Sequence, residues 1–372
     1  MFGSRNFLLV KSAGGGGGGK LFMWGQNTSG QLGLGVTGYS SSPVQVGTLT
    51  AWSKLSTGNF TLSTKTDGTL WSWGGGQNGR LGLGNTTSYS SPKQVGSLTN
   101  WATPTVGLNA SFCIKTDNTL WSWGRNHLGQ LGLGDTIDRS SPVQIGSLTN
   151  WAIVAVSVAS PGEFILSTKT DGTLWACGHN YFGNLGLGDT TDRSSPVQVG
   201  ALTTWAKPAA GRTHSLCAKT DGTLWAWGNN NQGQLGLGNL TYFSSPVQVG
   251  ALTTWDIPAG EFSSSICTKT DGTLWSWGRN GSGQLGTGNV IYLSSPVQVG
   301  ALTNWSIPTA AYNSRTCLKT DGTLWSWGYN NRAGQLGLGD TINRSSPVQI
   351  GSLTTWLAPA TTNVNTSGCI RL

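Results

Sequence analysis

Three histidines, two glutamates and six cysteines are the side chains of this chain best suited to acid–base, nucleophilic or metal chemistry. Their placement argues against each. His127, His179 and His214 lie in separate segments with unlike neighbours, so none is paired with a nucleophile or an orienting carboxylate at a recurring spacing. Glu163 and Glu261 each lack a second carboxylate at a recognisable distance along the chain. No Cys-x-x-Cys or Cys/His cluster is present, so no metal site is expected. Glycine runs such as Gly129-Gln130-Leu131-Gly132-Leu133-Gly134 have the composition of a phosphate loop. No helical segment follows them to supply its N-terminus, and they recur along the chain, so they read as structural glycine. The expectation is a non-enzymatic protein with no catalytic residues, no cofactor-binding residues and no cofactor.

The segments that would have to position such groups are copies of one unit. A Trp-Gly pair falls at Trp24, Trp73, Trp123, Trp227, Trp277 and Trp327, with Cys177-Gly178 in the remaining copy. The intervals are 49, 50, 54, 50, 50 and 50 residues. A fixed period in this range marks a solenoid or a propeller, and seven copies are enough to close a ring.

Each unit reads as β structure. In the third copy, Phe112-Cys113-Ile114-Lys115 is a short strand and Thr116-Asp117-Asn118-Thr119 a tight turn, which is Thr-Asp-Gly-Thr in five other copies. Leu120-Trp121-Ser122-Trp123 is the return strand, with both indoles on one face. Ser141-Pro142-Val143-Gln144-Ile145 is a further extended run that tolerates proline at its start. Leu148-Thr149-Asn150-Trp151 leads into the next copy. The expected fold is all-β, a seven-bladed β-propeller with four short strands per blade.

Composition agrees. All 19 tryptophans occupy repeat positions: six open the Trp-x-Trp pair, six close it and seven follow Leu-Thr-x. Such regularity reads as blade-to-blade packing, with Trp73, Trp123, Trp227, Trp277 and Trp327 as structural residues. Cys113, Cys217, Cys267, Cys317 and Cys369 share one repeat position, held by Ser63 and Ser167 in two other copies, which suggests a small buried pocket. Equivalent sites in neighbouring blades are too far apart for a disulfide, so these thiols are expected to be free.

The segment Trp-Gly-x-Asn-x-x-Gly-Gln-Leu-Gly, seen from Trp227 to Gly236 and from Trp277 to Gly286, resembles the repeat of the regulator of chromosome condensation family. The resemblance runs from about Lys20 to the C-terminus and implies a seven-bladed propeller. Kelch units have a similar period, but their diglycine strand ending is absent here. In the exchange-factor class of the family, Gly-x-x-His segments supply acidic and histidine side chains to a surface that faces a small GTPase, and an inserted β-wedge reaches the nucleotide. Here only Gly211-Arg212-Thr213-His214 keeps that pattern. Phe60, Ala110, Phe164, Ser264, Ser314 and Thr366 stand at the corresponding positions, and the longest insertion, near Ser157 to Glu163, is too short for a wedge. Exchange activity is therefore not expected to be inherited.

The net charge of +8 comes from 22 basic and 14 acidic residues, many of which sit in the repeated Lys-Thr-Asp turn. No basic stripe with interleaved aromatics stands out, so nucleic acid is not expected as a partner. Divergence between copies is concentrated in three loop sets: after Trp-Gly, before Ser-Ser-Pro, and before the cysteine strand. From these come the candidate partner-binding residues Arg212, His214, Phe262, Tyr312, Arg315, Tyr242 and Tyr292.

Phe7-Leu8-Leu9-Val10-Lys11 and Gly368-Cys369-Ile370-Arg371 both resemble the cysteine strand, giving eight such runs for seven Trp-Gly strands. Six glycines, 14–19, separate the first from its would-be partner and do not pin a tight hairpin. The C-terminal run is therefore expected to close the ring beside Leu21-Phe22-Met23-Trp24. Residues 1–19 would form an arm whose Phe7, Leu8, Leu9 and Val10 dock on a partner, and residues 20–372 the propeller. No apolar run suits a signal peptide or membrane span. A surface of Ser, Thr, Asn and Gly with few charges suggests a virion-surface or extracellular adhesion protein, with virion proteins or a cell-surface glycan as partner. The alternative is an intracellular regulator that binds a small GTPase or chromatin.

Overall fold

The computed structural model describes residues 18–157, 162–331, 333–362 and 365–372. Residues 7–10 lie outside this set. The Trp-x-Trp segments form the third strand of four-stranded antiparallel blades, and seven sheets follow one another around a ring; in the second, Thr361–Thr362 adds a fifth, parallel strand beside the innermost one. One 3-10 turn, Gln77–Gly79, is the only helical feature among the described residues.

The innermost strands begin at the Leu-Thr-x-Trp tryptophan: Trp52–Thr57, Trp101–Val106, Trp151–Val156, Trp205–Ala210, Trp255–Glu261, Trp305–Ala311 and Trp356–Pro359. They touch their counterparts in adjacent blades and so surround the axis. The second strands carry the cysteine position, as in Ala110–Lys115, His214–Lys219, Ser264–Lys269 and Ser314–Lys319. The Trp-Gly strands, such as Leu224–Gly228 and Leu274–Gly278, come third, and the Ser-Ser-Pro strands, such as Phe243–Gln248, form the rim. Proline there faces no further strand, so its missing donor leaves no gap in the ladder.

The C-terminal strand closes the ring, as expected. Thr366–Arg371 pairs antiparallel with Lys20–Gly25, from Lys20 opposite Arg371 to Gly25 opposite Thr366. The completed first blade has the order Ser40–Gln45, Lys20–Gly25, Thr366–Arg371, Trp356–Pro359. Strands from both ends of the chain thus share one sheet.

The core lies between blades. Phe164, Leu166 and Leu174 of one blade pack with Trp205, Cys217 and Trp227 of the next. Trp227 is fully buried and donates its indole N–H to the carbonyl of Asn184 in the preceding blade at 2.9 Å. Ser215 Oγ donates to the same oxygen at 2.6 Å. The indole edge also needs a glycine opposite: a Cβ on Gly186 would sit 2.7 Å from Trp227 Nε1. The pattern recurs at Trp73, Trp123, Trp277 and Trp327, each fully buried and donating to the preceding blade. All six cysteines are free and buried.

Register fixes which loops share an end. Trp205 pairs with Lys219 at one end of its blade and Ala210 with Ser215 at the other. Gly228 pairs with both His214 and Phe243, while Trp225 pairs with Gln248. The loops before the cysteine strand, after Trp-Gly and before Ser-Ser-Pro therefore all emerge at one end of the ring. The Thr-Asp-Gly-Thr turns and the Leu-Thr-x-Trp connections occupy the other. The three divergent sets form one surface rather than three.

Candidate functional site

The near-constant end is a repeated cage. In blade five, the Asp221 carboxylate accepts from Thr223 N at 2.9 Å and Thr223 Oγ1 at 2.6 Å. Thr223 Oγ1 accepts from the Trp225 indole at 3.0 Å. Lys219 Nζ lies 3.8 Å above the Trp225 ring, and Trp205 meets Trp225 edge-on at 6.0 Å. Gly222 provides the positive φ of +78° that the turn requires, and Asn118 takes this role at +60° in blade three. The side-chain bonds of Thr223 hold Asp221 below the usual carboxylate range, and the other turn aspartates share this shift.

The divergent end differs by blade. Its most developed part lies near the axis on blades five to seven, in the hairpins between innermost and second strands. Phe262 is held at φ +26°, a backbone conformation that bulky side chains rarely adopt. Its ring is half-buried. Arg212 lies 4.5 Å above it, Arg279 5.2 Å from it, and Tyr312 meets it at 4.9 Å and 61°. Tyr312 is 41% exposed.

Beneath this layer are charges with almost no exposure. The Arg315 guanidinium donates to the carbonyls of Ala311 and Ser314 at 3.1 and 2.8 Å and to the Ser264 hydroxyl, while its Nε has no partner. Burial lowers its pKa to about 10, opposed by Glu261. Burial in turn pushes the Glu261 carboxyl well up, with Arg315 acting against it. His214 Nε2 contacts Ser265 Oγ at 3.0 Å, and burial with Arg315 nearby pushes the ring down to about 3, so it is neutral.

The sequence-derived candidates therefore divide. Arg212, Phe262 and Tyr312 form one contiguous patch. His214 and Arg315 support it from below, and burial withdraws their side chains from direct contact with a partner. Tyr242 is 47% exposed on a rim loop and joins a second aromatic group, meeting Phe182 at 6.0 Å, which meets Tyr181 at 4.9 Å. Tyr292 is 46% exposed on the next blade.

Three further charged residues of this end were not among the candidate partner-binding residues. Arg279 follows Trp-Gly in blade six. Arg80 replaces the repeat glutamine, is buried, and donates to the Leu108 carbonyl and Asn109 Oδ1, both at 2.9 Å. Glu163 is buried, accepts from Asn109 N at 2.7 Å, and is pushed up to about 7 by desolvation. A charged residue at an otherwise uncharged framework position is the signal that marks Arg80.

Two clefts of about 390 and 370 Å³ lie between neighbouring blades, away from this patch. Both are lined by the same repeat positions, including Trp52, Trp71 and Pro92 in one and Trp101, Trp121 and Pro142 in the other, with no charged side chain. Among the described residues no three His, Cys, Asp or Glu side chains gather as a metal site. No helix among them is long and apolar enough to cross a membrane.

The model of the regulator of chromosome condensation (RCC1) repeat matches at residues 18–61, 67–114, 117–160, 171–218, 221–259, 271–311 and 321–358. A search of curated protein sequences finds no match. Among solved structures, human WBSCR16 is similar with a TM-score of 0.83 at 20% identity, over 95% of this chain and 98% of that one. Prp20p from Saccharomyces cerevisiae, described with its binding to Gsp1p and histones, gives 0.79 at 19% identity, over 95% and 92%. Yeast RCC1 (Prp20) bound to Kap60 gives 0.80 at 18% identity, over 100% and 94%. At this identity the likeness is one of fold.

Proposed function

The chain belongs to the regulator of chromosome condensation repeat family, and we propose that it is a non-enzymatic protein-docking propeller that receives its partner on the divergent end. The observation that carries this reading is the segregation of the loops. The repeated cages and the near-constant turns lie at one end, and all three divergent loop sets at the other, where arginine and aromatic side chains reach the surface.

Between partner classes, the solved relatives lend weight to an intracellular regulator. Prp20p is described with Gsp1p and histones, and the yeast protein with Kap60. A histidine-lined exchange surface finds little support, since His214 is buried against Ser265. The virion or adhesion reading rests on composition and ranks second; in it, Phe7, Leu8, Leu9 and Val10 add a strand to a neighbouring protein. Sugar stacking on tryptophan is disfavoured, because Lys65 Nζ already lies 3.6 Å over Trp71 and the pattern repeats in other blades.

Cross-linking of the full chain in a cell extract, with the linked peptides mapped, tests the proposal. Partner peptides joined near Arg212, Phe262 and Tyr312 would support it. Partner peptides joined only at the Thr-Asp-Gly-Thr end would overturn it. Accelerated nucleotide release from a small GTPase would instead establish exchange activity.

A further inference from the structure

We infer that the axial patch of blades five to seven binds an acidic segment of a partner protein, with Arg212 and Arg279 meeting carboxylates and Phe262 and Tyr312 packing against the segment's aliphatic or aromatic side chains. This deepens the docking reading above and rests on it.

The placement of charge supports the inference. Arg212, Arg279 and Arg315 converge on a patch whose buried carboxylate is Glu261. Glu261 lies below the surface, and burial favours its neutral form. On the opposite side of the same end, Arg80 lies near Glu163 and its guanidinium is taken up by the Leu108 carbonyl and Asn109 Oδ1. In blades five to seven two partly exposed guanidiniums thus flank one aromatic ring.

Geometry adds a second argument. Arg212 and Arg279 both hold their guanidinium groups against the Phe262 ring, at 4.5 and 5.2 Å, so they are ordered before a partner arrives. An ordered planar guanidinium suits a bidentate carboxylate. Phe262 keeps its unfavourable φ of +26°, a conformation that tends to persist at ligand clamps. The buried Arg315 supports the patch from below without offering a contact of its own.

The patch fits a protein segment better than nucleic acid. It is a compact pair of guanidiniums around one aromatic group. A nucleic-acid backbone asks for a longer basic track and loses affinity steeply with salt for each phosphate met.

The test uses the full chain and three fluorescent probes read by anisotropy: a decapeptide of Asp, Glu and Leu, the same peptide with Asn and Gln in place of the acids, and a single-stranded oligodeoxynucleotide. The acidic peptide should bind at least tenfold more tightly than its amide counterpart. Arg279→Glu should remove most of that difference, and Arg212→Glu with Arg279→Glu all of it. Lys93→Glu, on an exposed rim strand, should leave it unchanged. Arg279→Glu alters a half-buried side chain, and an unchanged thermal melt checks that the fold survives. Equal affinity for the acidic and amide peptides would overturn the inference, as would binding that ignores both arginine substitutions. Tighter, arginine-dependent binding of the oligonucleotide would assign the patch to phosphate instead. A cross-linked partner that stays on the divergent end of the double variant would leave the docking surface standing while the acidic class falls.

Discussion

The two ends of this ring are built from the same strands and do opposite things. At the near-constant end six of the seven blades repeat one cage of Lys, Asp, Thr and two or three tryptophans, closed by short hydrogen bonds within a few residues. At the divergent end several bonds run between blades: His214 to Ser265, Arg315 to Ser264, Asn109 to Glu163. A local cage can be copied without reference to its neighbours. A contact between blades depends on two copies at once, so it can differ around the ring. Duplication thus kept the frame uniform and left one end free to specialise.

The largest expected effect tests the frame. Deleting residues 366–372 removes the second strand of the first blade and leaves Leu21 and Met23 uncovered, so the truncated chain should lose its cooperative melt and aggregate. Deleting residues 1–17 should leave the melt intact. The reverse pair of results in a thermal scan would contradict the observed closure.

A smaller loss is expected at a single indole. Trp227→Ala should destabilise by about 3–5 kcal/mol, since it empties a fully buried site and removes a hydrogen bond between blades to the Asn184 carbonyl. Tyr312→Ala, at the divergent surface, should stay within about 0.5 kcal/mol. Similar losses in denaturant titrations of the two variants would break the distinction between frame and surface.

The frame was legible in the sequence because indole and glycine positions repeat with the blade. The eight cysteine-like runs likewise pointed to the C-terminal strand, because six glycines cannot hold a tight hairpin. The shared end of the three loop sets was implicit in strand direction, since each reversal of the chain returns it to the same side. The burial of His214 and Arg315 was not legible. It arises from residues about fifty positions away in the neighbouring blade, a separation that local patterning does not register. Glu163 and Glu261 look solitary along the chain for the same reason.

The two ends should also titrate differently. The turn aspartates have folded-state values below their ordinary one, so their contribution is present above about pH 4 and is lost as pH falls through the lowered values. Glu163 has the opposite sign. Its value is raised from 4.5 to about 7, so its contribution is full below about pH 4.5 and is lost as pH rises through about 7. Glu163→Gln should therefore leave the melting temperature unchanged at about pH 5 and raise it by a few degrees at about pH 8. No change at the higher pH would show that Glu163 is not held in its neutral form.

A modest effect is expected at the cysteine position. Cys113→Ser should cost under about 2 kcal/mol. Ser63 fills the equivalent site in blade two and donates to the Lys54 carbonyl at 2.7 Å. Burial pushes the Cys113 thiol up to about 12, so labelling by a thiol reagent should require denaturation. Rapid labelling of the native chain would mean that the blades separate.

The central claim is that the divergent end binds and the near-constant end frames. The most direct measurement is the affinity of the cross-linked partner for two variants of the full chain, each with its melting temperature. One carries Arg212→Ala, Arg279→Ala and Tyr312→Ala; the other carries Lys219→Ala and Asp221→Ala. The account predicts that the first loses at least tenfold in affinity with a nearly unchanged melt, while the second melts lower and binds as the native chain does. Full affinity in the first variant with a loss in the second would contradict it.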